Sequence, residues 1–224
     1  MALFDVANKN ENEGMNTLTQ AYSSAPFLHR VLVRARPTIC PYEPILAPIP
    51  SQATVLDVGC GVGALLVSLA LRGDLRAGIG CDINPASVGI AQTAAQQISA
   101  SSLQFMASRD INDIPRGPFE VVTLIDVMHH VNPTTQREFF GACAERVSEG
   151  GILLYKDMAN KPLWKNLFNR LHDAVLARQI IHYVPISQIK DWGQSLGFTI
   201  DKQDAYSRLA YAHELVVFRN RKQA

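Results

Sequence analysis

The chain has 224 residues, 47% of them hydrophobic and 18% charged, with a formal net charge of +1. That balance excludes a disordered chain, and the length suits one well-filled domain. The near-neutral charge gives no global pull towards nucleic acid or an anionic membrane, although local patches stay open.

The first twenty residues are polar, a tail or a first helix, and lack the basic-then-apolar order of a secretion signal. No apolar run nears the ~20 residues of a membrane-crossing helix. Residues 26–36 have helical periodicity, with Phe27, Val31 and Leu32 on one stripe and Arg30 and Arg34 on another. Five prolines from Pro37 to Pro50 then punctuate the chain. From residue 53 the order becomes strand (53–58), glycine-rich turn, apolar helix (Val62 to Arg72) and strand (77–83). Asn84-Pro85 supplies an N-cap and a first-turn proline for a helix ending near Gln97. Strands are expected at 103–107 and 120–126. Asn132-Pro133 repeats the cap signal before a helix carrying Phe139, Cys143 and Val147. Ser148–Gly151 turns into a strand at 152–157. Beyond it lie an amphipathic helix at 161–178, with Leu163, Leu167, Leu171 and Val175 in register, and a short helix from Ser187 to Leu196. Two final strands add an antiparallel hairpin at the sheet edge. Such alternation predicts an α/β, Rossmann-like doubly wound sheet in three layers, mostly parallel. The expected division is an N-terminal helical lid segment, 1–50, and a main domain, 51–224, with a helical insertion at about 159–185. Cys40, Cys60, Cys81 and Cys143 form neither a CxxC pair nor a disulfide framework nor a zinc site. No metal is expected, and a reducing cytoplasm is the expected compartment.

The central motif is Leu56-Asp57-Val58-Gly59-Cys60-Gly61-Val62-Gly63. It ends a strand and opens a helix, where glycines let the backbone approach a ligand and free N–H groups face it. A glycine triplet alone is weak, since Gly59, Gly61 and Ala64 satisfy the loose dinucleotide pattern. Asp57 shifts the balance. A pyrophosphate gains nothing from a carboxylate there, whereas an ammonium or sulfonium ligand does. Asp82 ends the second strand, where an acid accepts hydrogen bonds from ribose hydroxyls; an ordinary helix-cap role is the plainer alternative.

Here the sequence resembles the class I S-adenosylmethionine-dependent methyltransferases over about residues 50–158. VLDVGCGVG looks like that family's first motif, and GCDINP like its acidic loop, with Ile83 after the acid. Asp110 and Ile111 match the loop beside the adenine, although Arg109 replaces the usual small residue and Asp110 suits a turn cap equally well. FEVVTLIDVMHHV resembles the fourth-strand motif, with Glu120 where aspartate is commoner, and VSEGGILLYKD the turn into strand five. The resemblance implies S-adenosyl-L-methionine as cofactor. It implies Asp57, Gly59, Cys60, Gly61, Gly63, Asp82, Ile83, Asp110, Ile111, Asp126 and Val127 as the residues around it.

Methyl transfer from a sulfonium is an in-line displacement that mainly needs positioning and desolvation. A base helps when the acceptor carries a proton. His129 and His130 lie at the carboxyl end of strand four, where ligands bind in parallel sheets, and an imidazole suits that task. The alternative is that one ring faces the core or caps a turn; His129 is favoured as lying on the loop over the cofactor. Tyr155 and Asp157 end strand five, with strand packing the plainer role for Tyr155. Acceptor selection is expected from Tyr22, Phe27, the 37–50 segment and the 159–185 insertion. Their Trp, Phe and Leu content points to a small-molecule acceptor, flat and aromatic or apolar; the carrier-bound alternative comes from the arginines of residues 26–36. Arg30, Arg34 and Arg36 form a basic group that meets an acidic partner or is a solvated face. Nucleic acid is not an expected substrate, no Asn/Asp-Pro-Pro-Tyr/Phe-type motif following strand four, and a homodimer stays open. The rivals are a nicotinamide-dependent oxidoreductase and a non-catalytic cofactor-binding subunit.

Overall fold

The computed structural model describes residues 14, 16–40, 42–158, 182–208 and 211–221. A helical stretch at 16–21 buries Leu18 and Ala21, and Tyr22 follows into the core. Then come α1 (Phe27–Ile39), the single turn α2 (Glu43–Leu46), β1 (Ala53–Val58), α3 (Ala64–Leu71), β2 (Leu75–Asp82), α4 (Pro85–Gln97) and β3 (Leu103–Ala107). A 3-10 turn at Ile111–Asp113 leads to β4 (Phe119–Ile125), and a second at Met128–His130 to α5 (Gln136–Ala144). β5 (Val147–Met158), α6 (Ile186–Ser195), β6 (Phe198–Arg208) and β7 (Tyr211–Asn220) complete the described chain.

The seven strands lie in the order β3-β2-β1-β4-β5-β7-β6. β1 to β5 pair in parallel, β7 runs antiparallel to β5, and β6 antiparallel to β7. One face is packed by α1 to α4, through Val33, Ile45, Leu66, Leu69, Val88 and Ala91. The other is packed by α5 and α6, through Phe140, Cys143, Ile189 and Trp192. With both faces covered, the central strands read as apolar runs; Val55, Leu56, Val121, Val122 and Leu124 are fully buried. The strand order reverses at β1, where Val58 pairs with Cys81 on one side and Leu124 on the other. A crevice opens outside the carboxyl ends at such a reversal, and it is the usual ligand position in open α/β sheets.

The expected fold class is what the chain adopts, with β1 and β3 falling on the residues read from the sequence. Asn84 caps α4 by accepting from the Ala86 N–H at 3.0 Å. Other boundaries move. α1 runs through Pro37 to Ile39, because proline's fixed φ is itself helical, and the turn closes through Cys40 N–H to the Arg36 carbonyl at 2.7 Å. Asn132-Pro133 does not open α5. The Asn132 side chain accepts from both the backbone N–H and the hydroxyl of Thr134, a local turn that competes with the helix, which begins at Gln136. Val147 is not on that helix but is the first residue of β5. There it pairs with Phe119 while Ile152 pairs with Val121, so Ser148–Gly151 bulges out between them. The amphipathic helix expected at 161–178 lies outside the described residues.

Candidate functional site

The turn after β1 is tied to the end of β2. The N–H groups of Gly59 and Cys60 donate to the Cys81 carbonyl at 2.7 and 3.0 Å, and the Gly61 N–H donates to Asp82 Oδ2 at 2.8 Å. Asp82 Oδ1 accepts from the Asn84 N–H at 2.8 Å. Asp82 is therefore not the cap of α4, a place Asn84 fills; it joins the glycine turn to the loop after β2. Ile83 beside it is 64% exposed, unusual for so apolar a side chain. Gly61 has φ +54, and a Cβ there would meet nothing within 4 Å, so its backbone faces open space. A Cβ on Gly59 would collide with the side chain of Val127, and one on Gly63 with the Phe105 ring.

A cavity of about 230 Å³ lies against this turn. Asp57, Gly59, Cys60, Gly61 and Val62 form its floor, Ile125 and Asp126 one wall, and His29, Leu32, Val33, Arg36 and Tyr42 its roof. The segment before β1 thus reaches over the carboxyl ends of the strands. Tyr22 fixes that segment to the turn by donating from its hydroxyl to the Val62 carbonyl at 2.8 Å. A larger groove, about 780 Å³, between α4 and β3 has no titratable lining residue and none of the residues from Asp57 to Gly63 in its lining.

Asp57 is buried and accepts from the Thr123 hydroxyl at 2.6 Å. Burial pushes its carboxyl up to about 6, against the Thr123 hydrogen bond and with a further push from Asp82. Asp126 is built differently. It follows β4 with φ +56, a left-handed backbone rare outside glycine. Its N–H donates to the Lys156 carbonyl at 2.8 Å. Its carboxylate meets Lys156 Nζ at 2.7 Å and Arg36 Nη2 at 2.7 Å. Burial alone would raise the carboxyl; the two cations outweigh burial and hold it well below the usual carboxylate range. Lys156 is fully buried, and an ammonium there needs such a partner.

The two histidines part company. His129 is buried, and its Nδ1 lies 2.5 Å from Asp157 Oδ1, which also accepts from the Met158 N–H at 2.8 Å. The His129 carbonyl accepts from the His182 N–H, and Gln136 bridges the carbonyls of Met128 and His182. His130 is exposed, its ring 4.0 Å from that of His129. Neither ring lines the cavity against the glycine turn. Asp110 accepts at Oδ1 from the backbone N–H and the amide of Asn112, a cap for the turn that holds half-buried Ile111. Arg146 braces that loop from below, donating to the carbonyls of Ile111, Ile114 and Pro115. Tyr155 is packed in the core. Phe27 is 77% exposed, while Tyr22, grouped with it as an acceptor contact, is buried.

Sequence reasoning missed Lys156 and Thr123, covered Tyr42 only within the 37–50 segment, and took Arg36 only as part of a basic group. A signal for Lys156 existed: a lysine inside a strand covered on both faces needs an acid nearby. Thr123 pairs with Asp57 in register across β1 and β4, which no local pattern announces.

Residues 29–203 match the family described as a methyltransferase domain. Among curated relatives, a ubiquinone biosynthesis O-methyltransferase of Acinetobacter baumannii is 31% identical over 111 residues, 48% of this chain and 45% of that protein. One of Neisseria meningitidis is 29% identical over 140 residues, 62% and 55% of the two chains. The chain spans about half the length of the curated relatives it matches. Among solved structures, magnesium protoporphyrin IX methyltransferase from Synechocystis with bound SAH superposes with a TM-score of 0.67 at 22% identity, covering 93% of this chain and 94% of that one. An O-methyltransferase family protein from Burkholderia thailandensis gives 0.66 at 22% identity over 84% and 57%. The fold is the seven-stranded Rossmann-like fold of these methyltransferases.

Proposed function

From the premise that this chain belongs to the methyltransferase-domain family, we propose that it transfers the methyl group of S-adenosyl-L-methionine to a small, largely apolar acceptor. The observation that carries this reading is the pair of carboxylates at the glycine turn: Asp57 buried against the cavity without an ion pair among the described residues, and Asp82 on the Gly61 N–H. These residues fit the cofactor. The open side of Gly61 gives a ligand room at the backbone, and Asp57 offers negative charge to a cationic group. Each Asp82 oxygen accepts one backbone hydrogen bond and retains acceptor capacity for ribose hydroxyls. Exposed Ile83 offers apolar cover for the adenine, and Asp110 and Ile111 are its proposed companions from the loop after β3. When bound, the cofactor supplies an electrophilic methyl on a sulfonium.

The chain's own contribution is to bind, orient and exclude water. Leu32, Val33 and Tyr42 serve as a lid over the turn. Burial pushes the Tyr42 hydroxyl up to about 12, so it stays a neutral donor at physiological pH. His129 is the proposed base. Asp157 at Nδ1 fixes the tautomer with that nitrogen protonated, so Nε2 is the basic one, and His130 packs on the ring. The acceptor class rests on Leu32 and Val33 in an otherwise polar roof and on relatives named for ubiquinone biosynthesis and magnesium protoporphyrin IX. Four free thiols suit a reducing cytoplasm. The nicotinamide and non-catalytic alternatives have no support among these relatives.

Titration calorimetry with S-adenosylmethionine and its demethylated product tests the assignment. The wild type should bind at micromolar Kd. Asp82→Ala should weaken binding at least tenfold, since hydrogen bonds to a charged group are worth about 1.5–3 kcal/mol each. An unchanged Kd in that variant removes Asp82 from the site.

A further inference from the structure

Five large apolar side chains stand exposed among the described residues, and four of them are on α1: Phe27 at 77%, Leu28 at 60%, Val31 at 44% and Leu32 at 49%. Successive helical residues turn by about 100°, which gathers these four into one sector of α1. His29, Val33 and Arg36 occupy the sector turned to the cavity, and exposed Arg30 and Arg34 border the apolar sector on its other side. Leu32 belongs to both regions: half exposed, it also lines the cavity. The apolar surface therefore runs without a break into the mouth of the proposed active site. α1 carries three arginines and a histidine but no acid.

We propose that α1 docks this protein on an anionic lipid surface. The apolar sector enters the headgroup boundary, Arg30 and Arg34 meet the anionic headgroups, and the cavity mouth faces the bilayer. An amphipathic helix with large apolar residues on one face and arginines beside them is the usual interfacial design. At 13 residues α1 lies on a membrane rather than crossing it, and no helix among the described residues is long and apolar enough to cross one. Charge sets this occupant apart from a second copy of the chain. Pairing α1 with its own equivalent about a twofold axis brings arginines against arginines, with no acid on the helix to answer them. Docking stands apart from the reaction; only its consequence, that an apolar acceptor enters from the bilayer, rests on the function proposed above.

Vesicle sedimentation decides the matter, using phosphatidylcholine vesicles with and without phosphatidylglycerol. The protein should pellet with the anionic vesicles, be released by salt, and remain mostly free with the neutral ones. Arg30→Gln and Arg34→Gln should each lower partitioning about fivefold. Phe27→Ser/Val31→Ser, away from the cavity lining, should lower it more than tenfold while melting temperature and cofactor affinity stay put. Absence of wild-type binding, or equal binding to both vesicles, overturns the proposal. So does a wild-type dimer in sedimentation velocity that Phe27→Ser/Val31→Ser splits, with no vesicle binding. Vesicle binding by a protein that takes up no adenosyl cofactor leaves docking in place and removes the methyl-transfer reading instead.

Discussion

The carboxyl edge of the sheet holds four aspartates in two styles. On the β1–β2 side, Asp57 and Asp82 are held by neutral donors: a threonine hydroxyl and two backbone N–H groups. On the β4–β5 side, Asp126 and Asp157 are matched by Lys156, Arg36 and His129. Neutral donors fix a carboxylate without cancelling its charge, so the first pair keeps a negative field for a ligand. Lys156 and Arg36 spend the charge of Asp126 internally, so it fastens loop and lid, while Asp157 is committed to the His129 ring and sets its tautomer. One half of the edge attracts, and the other positions.

The sharpest way to break this contrast is to strip the second half of a cation. Lys156→Met leaves a largely buried carboxylate with one partner fewer and should destabilise the fold by about 3–5 kcal/mol in urea unfolding. Adding Asp126→Asn should restore much of that loss, because the orphaned charge goes with it. A cost under about 1 kcal/mol for Lys156→Met shows that Arg36 alone suffices.

His129→Gln tests whether the second half positions a base. With a known acceptor, kcat should fall by about 10²–10⁴ while cofactor affinity holds. Full activity in the variant reduces His129 and Asp157 to a packing pair.

On the first half, Asp57 predicts the opposite sign of effect on stability. Its folded pKa of about 6 lies above the ordinary 3.8, so folding favours the protonated form. That contribution is complete below about pH 4 and is lost as pH rises through about 6, a gap equivalent to about 3 kcal/mol. Asp57→Asn keeps the Thr123 contact and should gain up to about that much stability at pH 7.5, little at pH 4, while weakening cofactor binding. Stability curves for variant and wild type that run parallel from pH 4 to 8 place the charge in solvent and dissolve the contrast.

What the sequence disclosed follows from where information is local. β1, β3 and the Asn84 cap depend on neighbours within a few positions, and each was legible. So was the glycine turn with Asp57, since strand, acid and turn are consecutive, and Asp82 was legible from its place at the end of the next strand. Lys156, Arg36 and Thr123 acquire meaning only when distant segments meet: Arg36 and Asp126 are 90 residues apart, and Thr123 and Asp57 are 66 apart. Periodicity places Phe27 and Val31 on a shared stripe but is silent on whether the stripe turns inward or outward. Asn132-Pro133 reads as a helix start because an Asx turn and an N-cap use the same side-chain bond.

The three glycines of the turn answer to three different neighbours. Gly59 yields to Val127 across the crevice, Gly63 to Phe105 and Ala91 behind the sheet, and only Gly61 faces open space. In evolutionary terms the motif is two scaffold constraints with one ligand constraint between them, and the three should drift separately. Across homologues, substitutions at 59 should travel with smaller residues at 127, and substitutions at 63 with smaller residues at 105. Position 61 should have no such companion in the chain, because what it makes room for is not encoded in the gene.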